Sequence, residues 1–280
     1  MVLFRKKKEP MNTLLWIIAT YVAICIAAWF GNRVFMYFPD PARISPTQAG
    51  LSGVEEVELP GGNGETLIAW YVKADPGQPT FLYFHGNAGN AAGRAEKFEM
   101  MRTGGAGVFY LNNRGYGGST GKPTEKDNVA DAVTAYDYLR GQGVDAGTIV
   151  LYGESLGSGQ AVKLGGSHKV RAVVLEAPLT STVDVGKSTY FFLPLGMILT
   201  DKFHNEINIR AVEVPVLILH GALDSVIPVD MGKRVYEAAN DPKLLELFEE
   251  GHHSDLFDHG AWERVGNFLE STPGPGDRRQ

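Results

Sequence analysis

The sequence predicts an α/β fold: a mostly parallel central sheet flanked by helices, with a short lid insertion and one transmembrane helix ahead of it. Three observations lead there. Beyond Pro39, short apolar runs alternate with longer amphipathic stretches, the rhythm of strands joined by helical crossovers. Near the N-terminus one run, Leu14 to Phe30, is apolar on every face and follows the cations Arg5, Lys6, Lys7 and Lys8. Finally, 280 residues at 44% hydrophobic and 21% charged supply a large core, which excludes a disordered chain and a small disulfide-stapled scaffold.

The apolar run comes first. Its length corresponds to about 26 Å of helix, and with Met11 to Thr13 and Gly31 it is long enough for a bilayer core of roughly 30 Å. Trp16 at one end and Trp29, Phe30, Phe35, Tyr37 and Phe38 at the other suit the interfacial belt. Cations crowd the entrance, whereas only Arg33 stands just after the exit, which sets the N-terminus inside and the bulk of the chain outside. A cleaved signal peptide has a shorter apolar core and a small-residue exit, and a buried core helix is rarely apolar all round behind a cationic cluster. The run is therefore read as an uncleaved anchor over 11–32, behind a basic cytoplasmic segment 1–10. The single cysteine, Cys25, falls inside it and excludes an internal disulfide or a Cys-based metal site.

The globular part is expected over 40–270. Val54 to Leu59 and Leu67 to Val72, separated by Pro60-Gly61-Gly62-Asn63-Gly64, read as an opening antiparallel hairpin. Strands follow at Thr80 to Phe84, Val108 to Leu111, Ile149 to Tyr152, Ala172 to Glu176, Val216 to His220 and Leu244 to Phe248. Helices are expected at Ala91 to Arg102, Lys126 to Gly141, Leu156 to Leu164, Pro228 to Ala239 and Phe257 to Leu269. The rhythm breaks at 178–214, a lid above the pocket. Its apolar stretch Tyr190 to Met197 is expected to pack into the core, with an acyl-chain channel as the alternative. Residues 271–280, rich in Pro, Gly and charge, are expected to form a disordered tail. A net charge of −6 without a clustered basic face excludes nucleic acid as the main partner.

Gly153-Glu154-Ser155-Leu156-Gly157 is a G-x-S-x-G pattern. With 34 glycines in the chain the bare pattern is weak, but it stands directly after a predicted strand and directly before an amphipathic helix. A nucleophile on so sharp a turn needs glycines where a Cβ would strike the adjoining elements, and the helix beyond offers N–H groups to a developing negative charge. A serine hydroxyl is a poor nucleophile near neutral pH, so a base and a group to orient that base must follow. Asp224 and His253 supply them, each just past a later strand, so that all three loops open on one edge of the sheet. Asp230 and Asp201 are alternatives for the acid, and His252 for the base; Asp224 also reads as an N-cap of the helix near Pro228. His85 and His220 close buried strands and read as hydrogen-bonded structural residues, and His259 as a surface residue of the last helix. No H-E-x-x-H or other zinc spacing occurs.

With these residues the chain resembles an α/β-hydrolase-fold serine hydrolase, and more closely the membrane-anchored members with a short N-terminal helix. The resemblance is carried by Leu82-Tyr83-Phe84-His85-Gly86-Asn87-Ala88-Gly89-Asn90, by Arg114-Gly115-Tyr116-Gly117-Gly118-Ser119-Thr120-Gly121-Lys122-Pro123-Thr124-Glu125, by the serine elbow, by His220-Gly221-Ala222-Leu223-Asp224 and by Gly251-His252-His253-Ser254-Asp255-Leu256. It implies an oxyanion hole made by the backbone N–H groups of Asn87 and Leu156, and a base two residues before Asp255, which is His253. Asn112-Asn113 departs from the Asp and aromatic residue usual before such an arginine and is expected to alter the pocket wall.

The implied activity is cleavage of ester or thioester acyl substrates through an acyl-enzyme. A peptidase or aminopeptidase acting on short peptides would use the same triad, and a non-catalytic scaffold would have lost a triad member or an elbow glycine. No cofactor and no metal are implied. The expected partners are a small-molecule acyl substrate, lipid-like or not, and the membrane through the N-terminal helix. The catalytic domain is expected on the extracytoplasmic side, as in a bacterial inner membrane facing the periplasm. Oligomeric state and acyl chain length stay open.

Overall fold

The computed structural model describes residues 9–272; the cations Arg5 to Lys8 and residues 273–280 of the expected tail lie outside the described residues. Strands β1 (Glu55–Pro60) and β2 (Thr66–Val72) form the antiparallel hairpin, with Glu58 opposite Ile68. Six more strands run parallel to one another: β3 (Thr80–Phe84), β4 (Gly107–Leu111), β5 (Ile149–Glu154), β6 (Ala172–Glu176), β7 (Val216–Gly221) and β8 (Lys243–Phe248). β2 joins them antiparallel to β4, and the order across the eight-stranded sheet is β8-β7-β6-β5-β3-β4-β2-β1. This is the α/β-hydrolase arrangement, with β5 near the middle.

The helices are α1 (Glu9–Gly31), α2 (Ala95–Met101), α3 (Glu125–Gly141), α4 (Ser158–Gly165), α5 (Thr182–Thr189), α6 (Leu195–Ile198), α7 (Asn205–Asn208), α8 (Val229–Ala238) and α9 (Ala261–Ser271). Successive strand residues face opposite sides of a sheet, so the central strands, apolar throughout, need helices on both faces. Leu82, Phe84, Leu151 and Ile218 pack with Leu139 of α3, Val162 of α4 and Val235 of α8. Tyr83, Tyr152 and Leu219 point the other way, onto Phe98 of α2 and Val265 of α9. Every residue of β3, β4, β6 and β7 is buried, whereas the edge strand β8 is not.

Three helix boundaries differ from expectation. The stretch Ala91 to Arg102 opens as a tight turn, Ala92–Arg94, and α2 starts only after Arg94 leaves helical geometry at φ −121°. The elbow residues Ser155–Gly157 likewise form a tight turn before α4. The last helix starts at Ala261 and not at Phe257, because Gly260 takes a left-handed φ of 85° to turn the chain; His259 thus lies in the turn before α9, not on it.

The 178–214 insertion carries α5, α6 and α7, with the Ser181 hydroxyl capping α5 by accepting from the Asp184 N–H at 3.1 Å. Its apolar stretch does not pack into the core as a whole. Leu195 and Ile198 are buried, but Phe191 and Met197 are each 82% exposed and Tyr190 and Phe192 are also open. The Phe192 carbonyl accepts Tyr21 Oη of α1 at 2.8 Å.

Met11–Gly31 is long and apolar enough to cross a membrane, and its hydrophobic window is unburied by the rest of the chain. The chain leaving it is clamped at once. Thr200 Oγ1 donates to Asn32 Oδ1 at 3.1 Å, the Arg33 guanidinium meets Asp201 at 2.9 Å, and Tyr37 Oη donates to the same carboxylate at 3.2 Å. Tyr37 therefore does not sit in an exposed aromatic belt: its hydroxyl has a partner, and its ring is buried with Leu156, Leu179, Phe203, Ile227 and Met231.

Candidate active site

Ser155 follows β5 with a positive φ of 50°, unusual for a residue with a side chain. The turn is possible because both flanking positions are glycine. A Cβ on Gly153 would lie 2.7 Å from Ser158 Cα, and one on Gly157 would lie 2.2 Å from the Phe84 carbonyl oxygen. Either contact is impossible, so strand β3 and helix α4 close on the elbow only without side chains there.

His253 Nε2 lies 3.1 Å from Ser155 Oγ, and His253 Nδ1 lies 2.7 Å from Asp224 Oδ2. The second oxygen of Asp224 accepts the N–H groups of Val226 and Ile227, each at 2.8 Å, which fixes the carboxylate plane. Burial alone would push this carboxyl up; hydrogen bonds from His220 and His253 and from the Ile227 N–H outweigh it and hold the group well below the ordinary carboxylate range. An ionised Asp224 keeps the proton on Nδ1 and turns the Nε2 lone pair toward the serine. His220, fully buried, places Nε2 2.9 Å from the Ile227 carbonyl and 3.5 Å from Asp224, so it braces the acid loop.

The alternatives are placed elsewhere. Asp201 is engaged by Arg33 and Tyr37, and Asp230, largely exposed, faces Lys233 at 3.5 Å. His252 points outward and pairs with Asp255 at 3.1 Å. His259 is 3.8 Å from the same carboxylate.

The opposite wall is the loop after β3. His85 is fully buried, and burial, helped by nearby Arg94, pushes its imidazole down to about 3. It is neutral, donating Nδ1–H to the Gly86 carbonyl at 2.7 Å and accepting the Asn113 N–H on Nε2 at 3.0 Å. Asn87 comes next. Its carbonyl accepts the Phe38 N–H at 2.9 Å and Tyr116 Oη at 2.8 Å, and its side chain donates to the Met36 carbonyl at 3.2 Å. Phe38 and Pro39 run as a two-residue parallel bridge beside Ala88 and Gly89. Asn112 and Asn113 stand before Arg114 in the loop after β4. Both are buried: Asn112 Oδ1 accepts the Ala91 N–H at 3.1 Å, and Asn113 Oδ1 accepts Gln160 Nε2 at 3.0 Å. Their amides tie loops together beneath the site.

A largely buried charge network behind the serine, with only Glu176 of its charged groups fully enclosed, escaped sequence reasoning. Arg94 Nη2 lies 2.6 Å from Glu154 Oε1 while its Nη1 donates to the Ala88 carbonyl at 3.0 Å, so one guanidinium joins the elbow to the loop of Asn87. Lys97 bridges Glu154, at 3.3 Å, to Glu176, and the hydroxyls of Tyr83 and Tyr152 donate to those two carboxylates. Burial opposes ionisation of Glu154, but Arg94 and then Lys97 outweigh it and hold the carboxyl well below its ordinary value. The available signal was two glutamates ending apolar strands, since such groups stay buried only when paired. Among the described residues no cluster of His, Cys, Asp and Glu is arranged to hold a metal ion.

A family model described as serine aminopeptidase, S33 matches residues 76–209. Uncharacterized protein Rv2307c of Mycobacterium tuberculosis is 33% identical over 258 residues, 91% of each chain. Alpha/beta hydrolase domain-containing protein WAV2 of Arabidopsis thaliana is 32% identical over 252 residues, 81% of this chain and 82% of its own. Among solved structures, the Pyrococcus furiosus esterase Pf2001 superposes with a TM-score of 0.67 at 19% identity, over 85% of this chain and 98% of that one, a likeness of fold.

Proposed function

The chain belongs to the α/β-hydrolase family, and from that premise we propose that it is a membrane-anchored serine hydrolase cleaving carboxylic esters or thioesters through an acyl-enzyme. The observation that carries this reading is the unbroken chain from Ser155 Oγ to His253 to Asp224, at 3.1 and 2.7 Å. As Ser155 attacks the carbonyl carbon, His253 Nε2 takes its proton and Asp224 stabilises the imidazolium. The N–H groups of Asn87 and Leu156 hold the oxyanion, each such donor contributing about 3 kcal/mol to barrier lowering. His253 then protonates the leaving alcohol or thiol. Water, deprotonated by the same nitrogen, hydrolyses the acyl-enzyme and restores the serine.

Anchoring is supported by the length and exposure of α1, and an extracytoplasmic catalytic domain by the cations that precede it.

The aminopeptidase description of the matching family model favours a second reading, cleavage of short peptides by the same triad. The full-length chain in detergent, assayed on p-nitrophenyl acyl esters, acyl thioesters and aminoacyl p-nitroanilides, separates the two. The ester reading expects kcat/KM at least about 100-fold higher on esters or thioesters; the reverse order would replace it with the peptidase. Ser155→Ala abolishes turnover in either case.

A further inference from the structure

We propose that the lid segment Tyr190 to Met197 is itself a membrane-embedded element, dipping beside α1 into the leaflet at the helix's C-terminal end. The proposal rests on the anchored reading above and names the surface that the lid meets.

Position is the first argument. Tyr21 Oη donates to the Phe192 carbonyl at 2.8 Å, across 171 positions of sequence. Tyr21 lies far inside α1, ten residues before its end at Gly31, which is about 15 Å along the helix axis and half the depth of a bilayer core. If α1 crosses, the tip of the lid lies below the headgroups.

The helix is built to receive it. Cys25, Ala28 and Gly31 are half-buried and Asn32 buried, a stripe at three- and four-residue spacing on an otherwise exposed helix. Small residues at such a seam let backbones approach, as between helices in membranes. A main-chain carbonyl in hydrocarbon is costly unless it is satisfied, and Tyr21 satisfies that of Phe192.

Chemistry along the segment agrees. Tyr190 to Leu199 contains no charged residue, and Phe191 and Met197 present their side chains outward. Polar groups resume where α1 ends, at Thr200 with Asn32 and Asp201 with Arg33, which marks the water boundary at one level on both elements. From the lid base, Leu179 and Phe203 pack with Leu156, next to the nucleophile, in one buried apolar cluster. The occupant of the exposed face is therefore the acyl-chain region of the bilayer that holds α1.

The test uses the full-length chain with Cys25→Ala, carrying a nitroxide at Phe191→Cys or Met197→Cys, in phosphatidylethanolamine/phosphatidylglycerol vesicles. Ile17→Cys in α1 and Lys73→Cys on the exposed domain surface are the references, and fluorophosphonate labelling checks that each variant is folded. Power saturation against oxygen and a water-soluble nickel complex reads depth. The expected result is oxygen-dominated accessibility at 191 and 197, as at 17, with 73 dominated by nickel. Nickel-dominated signals at 191 and 197 beside a lipid signal at 17 overturn the lid proposal and leave the anchor standing. Protection from both reagents also overturns it and points to a second copy of the chain. Water-like signals at 17 as well remove the anchored reading together with the proposal.

Discussion

Phe38 donates its backbone N–H to the Asn87 carbonyl at 2.9 Å, so the segment leaving α1 is hydrogen-bonded to the loop that carries a proposed oxyanion donor. Helix α1 is thus joined to the sheet edge that holds Ser155 through seven residues of clamped chain, not through a slack tether. Phe38→Pro removes this donor, and Asn87→Ala removes the side-chain bond to Met36. Both are expected to lower kcat on a soluble ester about tenfold with KM within about twofold, because small displacements of a preorganised donor are felt in the transition state. Steady-state kinetics checks this, and unchanged kcat in both variants contradicts it.

Asp224 faces His253, whereas His252 faces Asp255. Asp224→Asn is expected to reduce kcat by about 10⁴-fold through loss of the productive tautomer, and His252→Ala to leave it nearly unchanged. A reversed pattern in the same assay would transfer the base role to His252.

Arg94 is the main partner of the largely buried Glu154 carboxylate. Arg94→Met leaves that charge short of a partner and is expected to destabilise the fold by about 3–5 kcal/mol. Adding Glu154→Gln should recover at least half of the loss, a coupling that a denaturation double-mutant cycle measures directly. Additive losses would mean that the two residues act separately.

His85 is held neutral, with its pKa pushed from 6.5 down to about 3. Below pH 6.5 the unfolded chain therefore binds a proton that the folded chain refuses, and stability falls as pH drops toward 3, by about 1.4 kcal/mol per pH unit from this group. The depressed carboxyl of Asp224 contributes fully above the ordinary carboxylate range, and its contribution is lost progressively as pH falls from that range toward the much lower value it holds in the folded chain. Unfolding free energies between pH 7 and 4.5 should decline less steeply in His85→Gln, by about one proton. Parallel slopes contradict the assignment.

The strands were legible because they are short apolar runs bounded by turn residues, and the elbow because Gly153 and Gly157 are demanded by clashes within a few residues of Ser155 or with the adjacent strand. The positions of Asp224 and His253 followed from their placement after β7 and β8. Contacts between distant parts of the chain were not legible: nothing local links Arg33 to Asp201 or Arg94 to Glu154. Tyr37 was misread for the same reason, since an aromatic residue after an apolar helix suits a membrane interface until Asp201 supplies a buried partner for its hydroxyl. The stretch Tyr190 to Met197 differed the other way: Leu195 is buried, but Tyr190, Phe191, Phe192 and Met197 are exposed, and the Phe192 carbonyl meets Tyr21 of α1.

Acylation of Ser155 is tested most directly by intact-protein and peptide mass spectrometry after brief reaction with a fluorophosphonate or an activated acyl ester. One adduct per chain is predicted, localised to the peptide that contains Ser155, absent in Ser155→Ala and strongly slowed in His253→Ala. No adduct on the native chain, or an adduct that persists in Ser155→Ala, would contradict the acyl-enzyme mechanism.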